Sequence, residues 1–298
     1  MALLRTNSGY FVGTLVEIKD FKELTYGPEN KEAVTATIVI KSVLGEGEEQ
    51  TESLTELRNF TSKYTKDGKL NRNYDKIANI NDLLNKRVVI SGATISGERF
   101  WAKNTNQLVP ATKFSFNLIR LAKDSEPDKA EFQYGGFVYK ELTERTDLDG
   151  KTICYAMSIA QANFNENNMQ VVEFVVDKDN VSAVEAIQRS YTQGSTVQIS
   201  GICSNIVTQI TKTEDTMFGD PVTKVFTKTD KKLIITSGQP VIEGEGEYSI
   251  EAIKALADAY TKEGIAIRDK ATNESNVQTA QAATKSVPSK KSALAGLI

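Results

Sequence analysis

The feature that most constrains this chain is an internal repeat of β-rich sequence. The segment VVISG at 88–92 returns as VQISG at 197–201, and PATKF at 110–114 returns as PVTKV at 221–225. Both landmarks recur after about 110 residues, which is about the length of one small domain. A period this long, present in two copies, predicts a tandem duplication of one β-rich domain and not a solenoid of short repeats.

The first copy contains five segments typical of β-strands, because β-branched and aromatic residues dominate them and turn-forming residues bound them. Gly13 within the first strand indicates a bend or bulge. A short helix is predicted at 79–84, and the polar stretch at 20–32, with its Gly-Pro pair, is predicted to be a loop. The five predicted strands cover residues 10–18, 33–42, 49–60, 87–96 and 113–121, and a helix is the alternative at 54–57.

The second copy repeats this order of elements, with a short helix at 181–189 between its third and fourth strands. An amphipathic helix is predicted at 249–260, with Ser249 as its N-cap. From residue 269 onward the chain is polar and poor in hydrophobic residues, which predicts a flexible tail. The five predicted strands of this copy cover residues 134–140, 152–160, 171–176, 196–203 and 232–237.

Five strands with a helix between the third and the fourth match the OB-fold, a partly open Greek-key barrel. A β-sandwich pair is the alternative, but it would need about seven strands per domain. The predicted fold is therefore mainly β: two tandem OB-fold-like five-stranded barrels, a C-terminal helix and a flexible tail. The predicted boundaries are 1–123 for domain 1, 124–131 for a linker, 132–243 for domain 2, 244–268 for the C-terminal helical segment and 269–298 for the tail.

The composition argues against an enzyme. The 298 residues include no histidine, which removes the usual general base and the commonest metal ligand. Cys154 and Cys203 lack the spacing of a zinc site, and no P-loop or nucleophile elbow is present. We therefore predict a non-enzymatic protein without cofactor or metal. No apolar run of about 18 residues predicts a membrane span, and two cysteines without a partner spacing favour a reduced, cytoplasmic setting.

The net charge of −3 does not by itself indicate nucleic-acid binding, but one segment is locally basic. Residues 58–76, RNFTSKYTKDGKLNRNYDK, interleave cations with aromatic rings. Cations neutralise phosphates, and aromatic rings stack on bases with about 1–3 kcal/mol per base, so this pattern favours single-strand binding. The alternative is a solvated loop whose rings cover the barrel end. The candidate residues are Phe60, Lys63, Tyr64, Lys66, Arg72 and Tyr74.

A second candidate segment lies in the predicted hairpin between strands four and five of the first copy. Its sequence places two large rings among cations, in the loop with which OB-folds bind oligonucleotides. The alternative is that Trp101 folds back onto its own barrel. The candidate residues are Arg99, Phe100, Trp101 and Lys103.

The matching connection of the second copy carries the cation Lys212 and the ring of Phe218. It is a weaker candidate, because Glu214 and Asp215 lie near them. Aromatic residues on the second copy's strands are further candidates, although strand alternation does not separate binding rings from core rings. The candidate residues of this copy are Tyr134, Tyr139, Tyr155, Phe164, Lys212 and Phe218.

With two OB-like plans, a basic and aromatic loop, and a polar tail, residues 8–240 resemble the bacteriophage single-stranded DNA-binding proteins that carry tandem OB-folds. The resemblance implies a non-enzymatic protein that coats and protects single-stranded DNA during phage replication or recombination, with little sequence preference, in the host cytoplasm. The alternative is a structural or interaction protein, such as a virion component or scaffold.

The end of the chain is a candidate partner-binding segment. Lys290 and Lys291 precede the apolar residues Leu294, Leu297 and Ile298. The tail could contact replication or recombination proteins, as bacterial single-strand binders do with a short terminal motif. Their motif is acidic, however, whereas this tail is basic.

Overall fold

The computed structural model describes residues 3–45, 47, 50–214 and 222–285, of which 207–214, 222–230 and 273–285 are described by their backbone alone. Domain 1 extends through strand β6. Its elements are β1 (Asn7–Tyr26), β2 (Lys31–Leu44), β3 (Thr51–Ser62), α1 (Tyr74–Ala78), a 3₁₀ turn (Ile80–Leu83), β4 (Arg87–Ala102), β5 (Gln107–Ser115) and β6 (Leu118–Leu121).

Domain 2 repeats this order and is followed by a long helix. Its elements are β7 (Lys129–Thr146), β8 (Thr152–Ala162), β9 (Met169–Asp177), α2 (Val181–Ser190), β10 (Thr196–Glu214) and β11 (Val222–Gly238), and α3 (Ile250–Lys285) comes after them.

Each domain closes into a five-stranded barrel. In domain 1 the strands pair in the order β1-β2-β3-β5-β4, β4 returns to pair with β1, and β3 and β5 are parallel. Domain 2 closes in the same way, in the order β7-β8-β9-β11-β10, with β9 and β11 parallel. This ring with its helix between the third and fourth strands is the OB-fold plan. The predicted fold class is therefore confirmed.

The bend predicted at Gly13 occurs at the same place in both copies. Gly13 lies where β1 passes from pairing with β4 to pairing with β2, and a Cβ there would lie 2.3 Å from the Lys41 carbonyl oxygen. At Gly136 in β7 a Cβ would lie 2.1 Å from the carbonyl oxygen of Ala160. Only glycine allows the backbone of a neighbouring strand to approach this closely.

The two barrels are joined through their first strands. β1 and β7 pair antiparallel from Asn7↔Tyr134 to Val12↔Lys129. Because each domain contributes its own first strand, this pairing relates the domains by an approximate two-fold axis. The cores are continuous across it, since one cluster of buried residues contains both Phe11 of β1 and Phe132 of β7.

The hairpins are longer than the sequence patterns predict. Most of the predicted loop at 20–32 belongs to β1 and β2, which pair out to Tyr26↔Lys31 around a turn with Gly27 at φ 69°. Likewise β4 runs to Ala102, so Arg99, Phe100 and Trp101 lie on a strand and not in a loop. The β1–β2 extension is largely exposed on both sides, and therefore it lacks the alternation that marks a half-buried strand.

Two predicted boundaries are corrected. β7 begins at Lys129, inside the predicted linker, and Asp128 is held by the Arg87 guanidinium at 2.6 Å and by the Val43 amide at 3.0 Å. Helix α3 is capped by Ser249, as predicted, but it continues to Lys285 and so includes the first part of the predicted flexible tail. Residues 286–298 lie outside the described residues.

Candidate nucleic-acid interface

The outward face of β1, β2 and β3 in domain 1 is open and carries exposed rings. Phe60 on β3 is opposite Thr35 on β2, with Lys22 of β1 in the same row. The Phe60 ring is 50% exposed and packs edge-on against Tyr26, with ring centroids 5.1 Å apart. This face is the surface on which OB-folds bind oligonucleotides, so a solvent-exposed ring here is placed to stack on a base.

A small hairpin follows β3 and continues this face. It is closed by an isolated bridge between Tyr64 and Leu70 and by the Thr65 amide, which donates to the Lys69 carbonyl at 2.8 Å. Tyr64 is 51% exposed. The local hydrogen bonds give the predicted basic and aromatic loop a defined shape without burying it.

Three cations of this hairpin have no ionic partner among the described residues. They are Lys66, Lys69 and Arg72, and all three are exposed. Lys63 differs, because it forms an ion pair with Glu32, whose carboxylate raises the pKa of Lys63. Phosphates therefore meet least competition at the three unpaired cations.

Tyr74, the remaining ring of the predicted segment, contacts both the core and a cation. Tyr74 begins α1 and packs against the core of domain 1, and the Lys63 ammonium lies 5.9 Å from its ring centroid. The same ammonium lies 6.0 Å from the ring of Tyr64. Lys63 thus contacts both tyrosines and, through its ion pair with Glu32, also the β1–β2 hairpin. These contacts stabilise the edge of the open face.

The β4–β5 hairpin carries the second predicted group but splits it between two faces. Phe100 is about half exposed, and Lys103 is exposed near the tip. Arg99 points the other way, toward α3: its guanidinium donates to the Tyr260 carbonyl and to Glu263, both at 2.7 Å. Trp101 is partly buried opposite Leu108. The structure does not bring Arg99 to the face that carries Phe60.

Helix α3 covers part of the corresponding outward face of domain 2. Phe137 of β7, Ala160 of β8 and Met169 of β9 are buried on this face, in one cluster with Leu256 of α3 and with Tyr248 just before it. The Tyr248 hydroxyl accepts from the Ala162 amide at 3.1 Å and donates to the Leu4 carbonyl at 2.9 Å. Helix α3 therefore closes the part of the domain 2 face around Ala160 and Met169, which corresponds to Lys41 and Glu52 of domain 1 and not to Phe60.

Most of the candidate rings of domain 2 belong to the protein interior. Tyr134 is fully buried at the domain junction, and burial raises the pKa of its hydroxyl, so its assignment to a binding face is corrected. Tyr155 packs against the same core from inside the barrel, and Tyr139 lies under α3 with its ring 6.1 Å from that of Tyr260. Alternation did not separate these positions because β8 is buried on both sides over much of its length.

The other candidates of domain 2 have different outcomes. Phe164 is 90% exposed in the β8–β9 turn, and the Arg5 guanidinium lies 5.8 Å from its ring. Lys212 lies on β10 opposite Lys224, but its side chain lies outside the described residues. Phe218 lies outside them entirely.

Sequence reasoning missed two contributors to the open face. Tyr26 packs against Phe60 at the end of β1, and its signal was its place directly before a Gly-Pro turn. Lys69 is the third unpaired cation of the hairpin and was not among the candidate residues. Both residues could have been identified from the sequence. Tyr26 was missed because residues 20–32 were predicted to form a loop and not part of a strand.

In the part of the chain that the structure describes, the cysteines and the acidic residues form no second site. Both cysteines are buried, and burial raises the pKa of the Cys203 thiol. Within the described ranges, no three histidine, cysteine, aspartate or glutamate side chains come together as metal ligands would. None of the described helices combines the length and the apolar character needed to cross a membrane.

The fold places the chain among proteins built from tandem OB-fold barrels. The chain belongs to the YorF family, whose model matches residues 6–275. No curated protein sequence matches it.

Solved structures that share this fold include two forms of one protein. The chain is similar to the wild-type single-stranded DNA binding protein from Thermus aquaticus, with a TM-score of 0.50 and 9% identity over 82% of this chain and 97% of that one. It is also similar to a deletion mutant of that protein, with a TM-score of 0.53 and 10% identity over 80% of this chain and 96% of that one.

Proposed function

We propose that this protein binds single-stranded DNA on the open face of domain 1, with little sequence preference. The observation that carries the proposal is the combination on one OB face of exposed rings with cations that have no ionic partner. Phe60 and Tyr64 supply the rings, and Lys66, Lys69 and Arg72 supply the cations. Every base has a face that can stack, and every nucleotide has a phosphate, so this chemistry does not discriminate between sequences.

The wider role that we propose is to coat and protect single-stranded DNA during phage DNA replication or recombination. The likeness of the fold to a single-stranded DNA binding protein supports the DNA partner. The phage setting is part of the proposal. Replication or recombination proteins are proposed to bind the tail at 286–298, which lies outside the described residues.

A titration with fluorescently labelled oligo-dT across a salt series tests the DNA proposal. Binding should weaken as salt rises, because phosphate contacts release counterions. Replacement of Lys66, Lys69 and Arg72 by Gln should lower the salt slope by about 2, since each single-strand phosphate contact contributes about 0.7. Absence of binding by the wild-type protein at low salt would overturn the proposal.

The matched control changes three exposed domain 2 lysines instead. Lys140, Lys151 and Lys178 are replaced by Gln, which removes the same net charge from the protein. This variant should keep the wild-type slope. An equal loss of slope in both triple variants would mean that overall charge, and not the hairpin after β3, attracts the DNA.

A further inference from the structure

A small cleft lies between the two domains, beside the open face of domain 1. Its volume is about 140 Å³. Domain 1 contributes Glu56 and Arg58 from β3 and Lys113 from β5, while domain 2 contributes Asn205 from β10 and Lys231 from β11. Arg58 and Phe60 are two residues apart on the same face of β3, which places the cleft about 7 Å along the strand from the exposed ring.

The charges that line the cleft leave a positive surplus. Arg58, Lys113 and Lys231 face one carboxylate, that of Glu56, so the lining carries a net charge of +2. The Glu56 carboxylate also accepts from Lys19 at 2.8 Å, and Lys113 forms an ion pair with Glu98 just outside the cleft. The Lys19 hydrogen bond is the main cause that holds the pKa of Glu56 below its usual value, so this group is ionised at neutral pH.

The two walls of the cleft are fixed to each other by buried hydrogen bonds. The Asn205 amide donates to the Ser53 hydroxyl at 3.0 Å, and its side-chain amide donates to Thr55 at 3.1 Å. All three residues are buried, and Asn205 is paired with Lys231 across β10 and β11. These hydrogen bonds therefore hold Lys231 close to Glu56 of the other domain. The cleft needs no rearrangement before an anion can bind in it.

We propose that this cleft binds backbone phosphates of the single strand where the strand passes from the domain 1 face toward domain 2. This inference rests on the proposed function. A phosphate is negatively charged and so complements the positive charge of the cleft. The Arg58 guanidinium and two ammonium groups are suitable donors for it. The cleft would give domain 2 a direct share in DNA binding even though α3 covers part of the outward face of that domain.

The test compares two charge changes of opposite sign by the same oligo-dT titration. Lys231→Gln should weaken binding about two- to fivefold at low salt and lower the salt slope by about 0.7. Glu56→Gln should strengthen binding by a similar factor, because it removes the only negative charge in the lining. A residue with a merely structural role would not give a gain of affinity.

The controls carry the same charge changes away from the cleft. Lys178→Gln and Glu185→Gln replace exposed residues of domain 2 that do not line it. Both should bind as the wild type does. If the wild type binds but Lys231→Gln matches Lys178→Gln, or Glu56→Gln fails to tighten binding, the cleft proposal is wrong and the proposed function stands. If the wild type does not bind at all, both are wrong.

Discussion

The two domains share one barrel plan but differ in what covers the outward face of their first three strands. In domain 1 the outward face of the first three strands is open, and Phe60 projects from it beside threonine and arginine. In domain 2 one end of the same face is apolar, with Phe137, Ala160 and Met169 under helix α3. Duplication supplied two candidate binding faces, and the side chains on each now suit one to nucleic acid and the other to a helix.

The difference shows that a fold alone does not locate a binding site. The same strand order and the same first-strand glycine occur in both copies. What separates them is whether the outward side chains can be left in water, and apolar residues such as Phe137 cannot be left there without cost. Domain 2 thus contributes stability and the Lys231 wall of the cleft, while domain 1 carries the open face.

The largest effect is expected from loosening α3. Leu256 is 3% exposed within the cluster that closes the domain 2 face. Leu256→Ala should lower the free energy of unfolding by about 2–4 kcal/mol, because it leaves a cavity under the helix. Denaturant unfolding measures this loss, and oligo-dT binding by the folded protein should not change.

The exposed Ile265 of the same helix provides the control for this experiment. Ile265→Ala should change the free energy of unfolding by no more than about 0.5 kcal/mol. If the two substitutions had equal effects, α3 would not be packed on domain 2, and the contrast between an open and a closed face would fail.

The second prediction compares the loss of DNA affinity when an exposed ring is removed from domain 1 or from domain 2. Phe60→Ala should cost about 1–3 kcal/mol of binding free energy, the range for loss of one stacked base. That corresponds to a loss of affinity of about five- to 150-fold in the oligo-dT titration. Phe164→Ala removes a ring of domain 2 that is still more exposed, and its affinity should equal that of the wild type.

Equal losses from Phe60→Ala and Phe164→Ala would contradict the assignment of binding to domain 1. They would indicate that the DNA also reaches the β8–β9 turn of domain 2. Circular dichroism of both variants should match the wild type, because each ring is on the surface.

The smallest effect is expected at Arg99, which the sequence placed among the DNA-binding residues. Its side chain is only 13% exposed, and its guanidinium lies 3.3 Å from the Tyr260 ring centroid. Arg99→Ala should therefore lower the free energy of unfolding by about 1–2 kcal/mol and leave the affinity for oligo-dT unchanged. Lys103→Ala, near the tip of the same hairpin, should leave stability unchanged and serves as the control.

An outcome in which Arg99→Ala weakens DNA binding without destabilising the protein would reverse this interpretation. It would mean that Arg99 leaves α3 when DNA is present.

Much of the fold could be predicted from local pattern. The strands at 33–42 and 171–176 and the helix at 181–189 were predicted close to their observed bounds, because one face of each packs on a core and the period shows in the sequence. The long hairpin arms could not be predicted in this way. The stretch at 20–32 is polar on both sides, and its strand structure comes from pairing with residues farther along the chain.

The candidate site was predicted in part for the same reason. Phe60 and Tyr64 stand among charged residues, and the structure places both rings in solvent. Tyr134 stands in an equally plausible strand, but its pairing with β1 buries it at the domain junction. Exposure of a strand residue depends on what packs against each face, and strand periodicity does not contain that information.

The sequence by itself determined the duplication, the five-strand plan of each copy and the basic, aromatic character of the segment after β3, because these depend on residues that are near one another in the chain. Only the tertiary structure decided which copy keeps its outward face open. That choice depends on long-range contacts, those of α3 with β7, β8 and β9 and of Arg99 with Tyr260. Such contacts are formed by chain folding and leave no periodic signal in the strands that they cover.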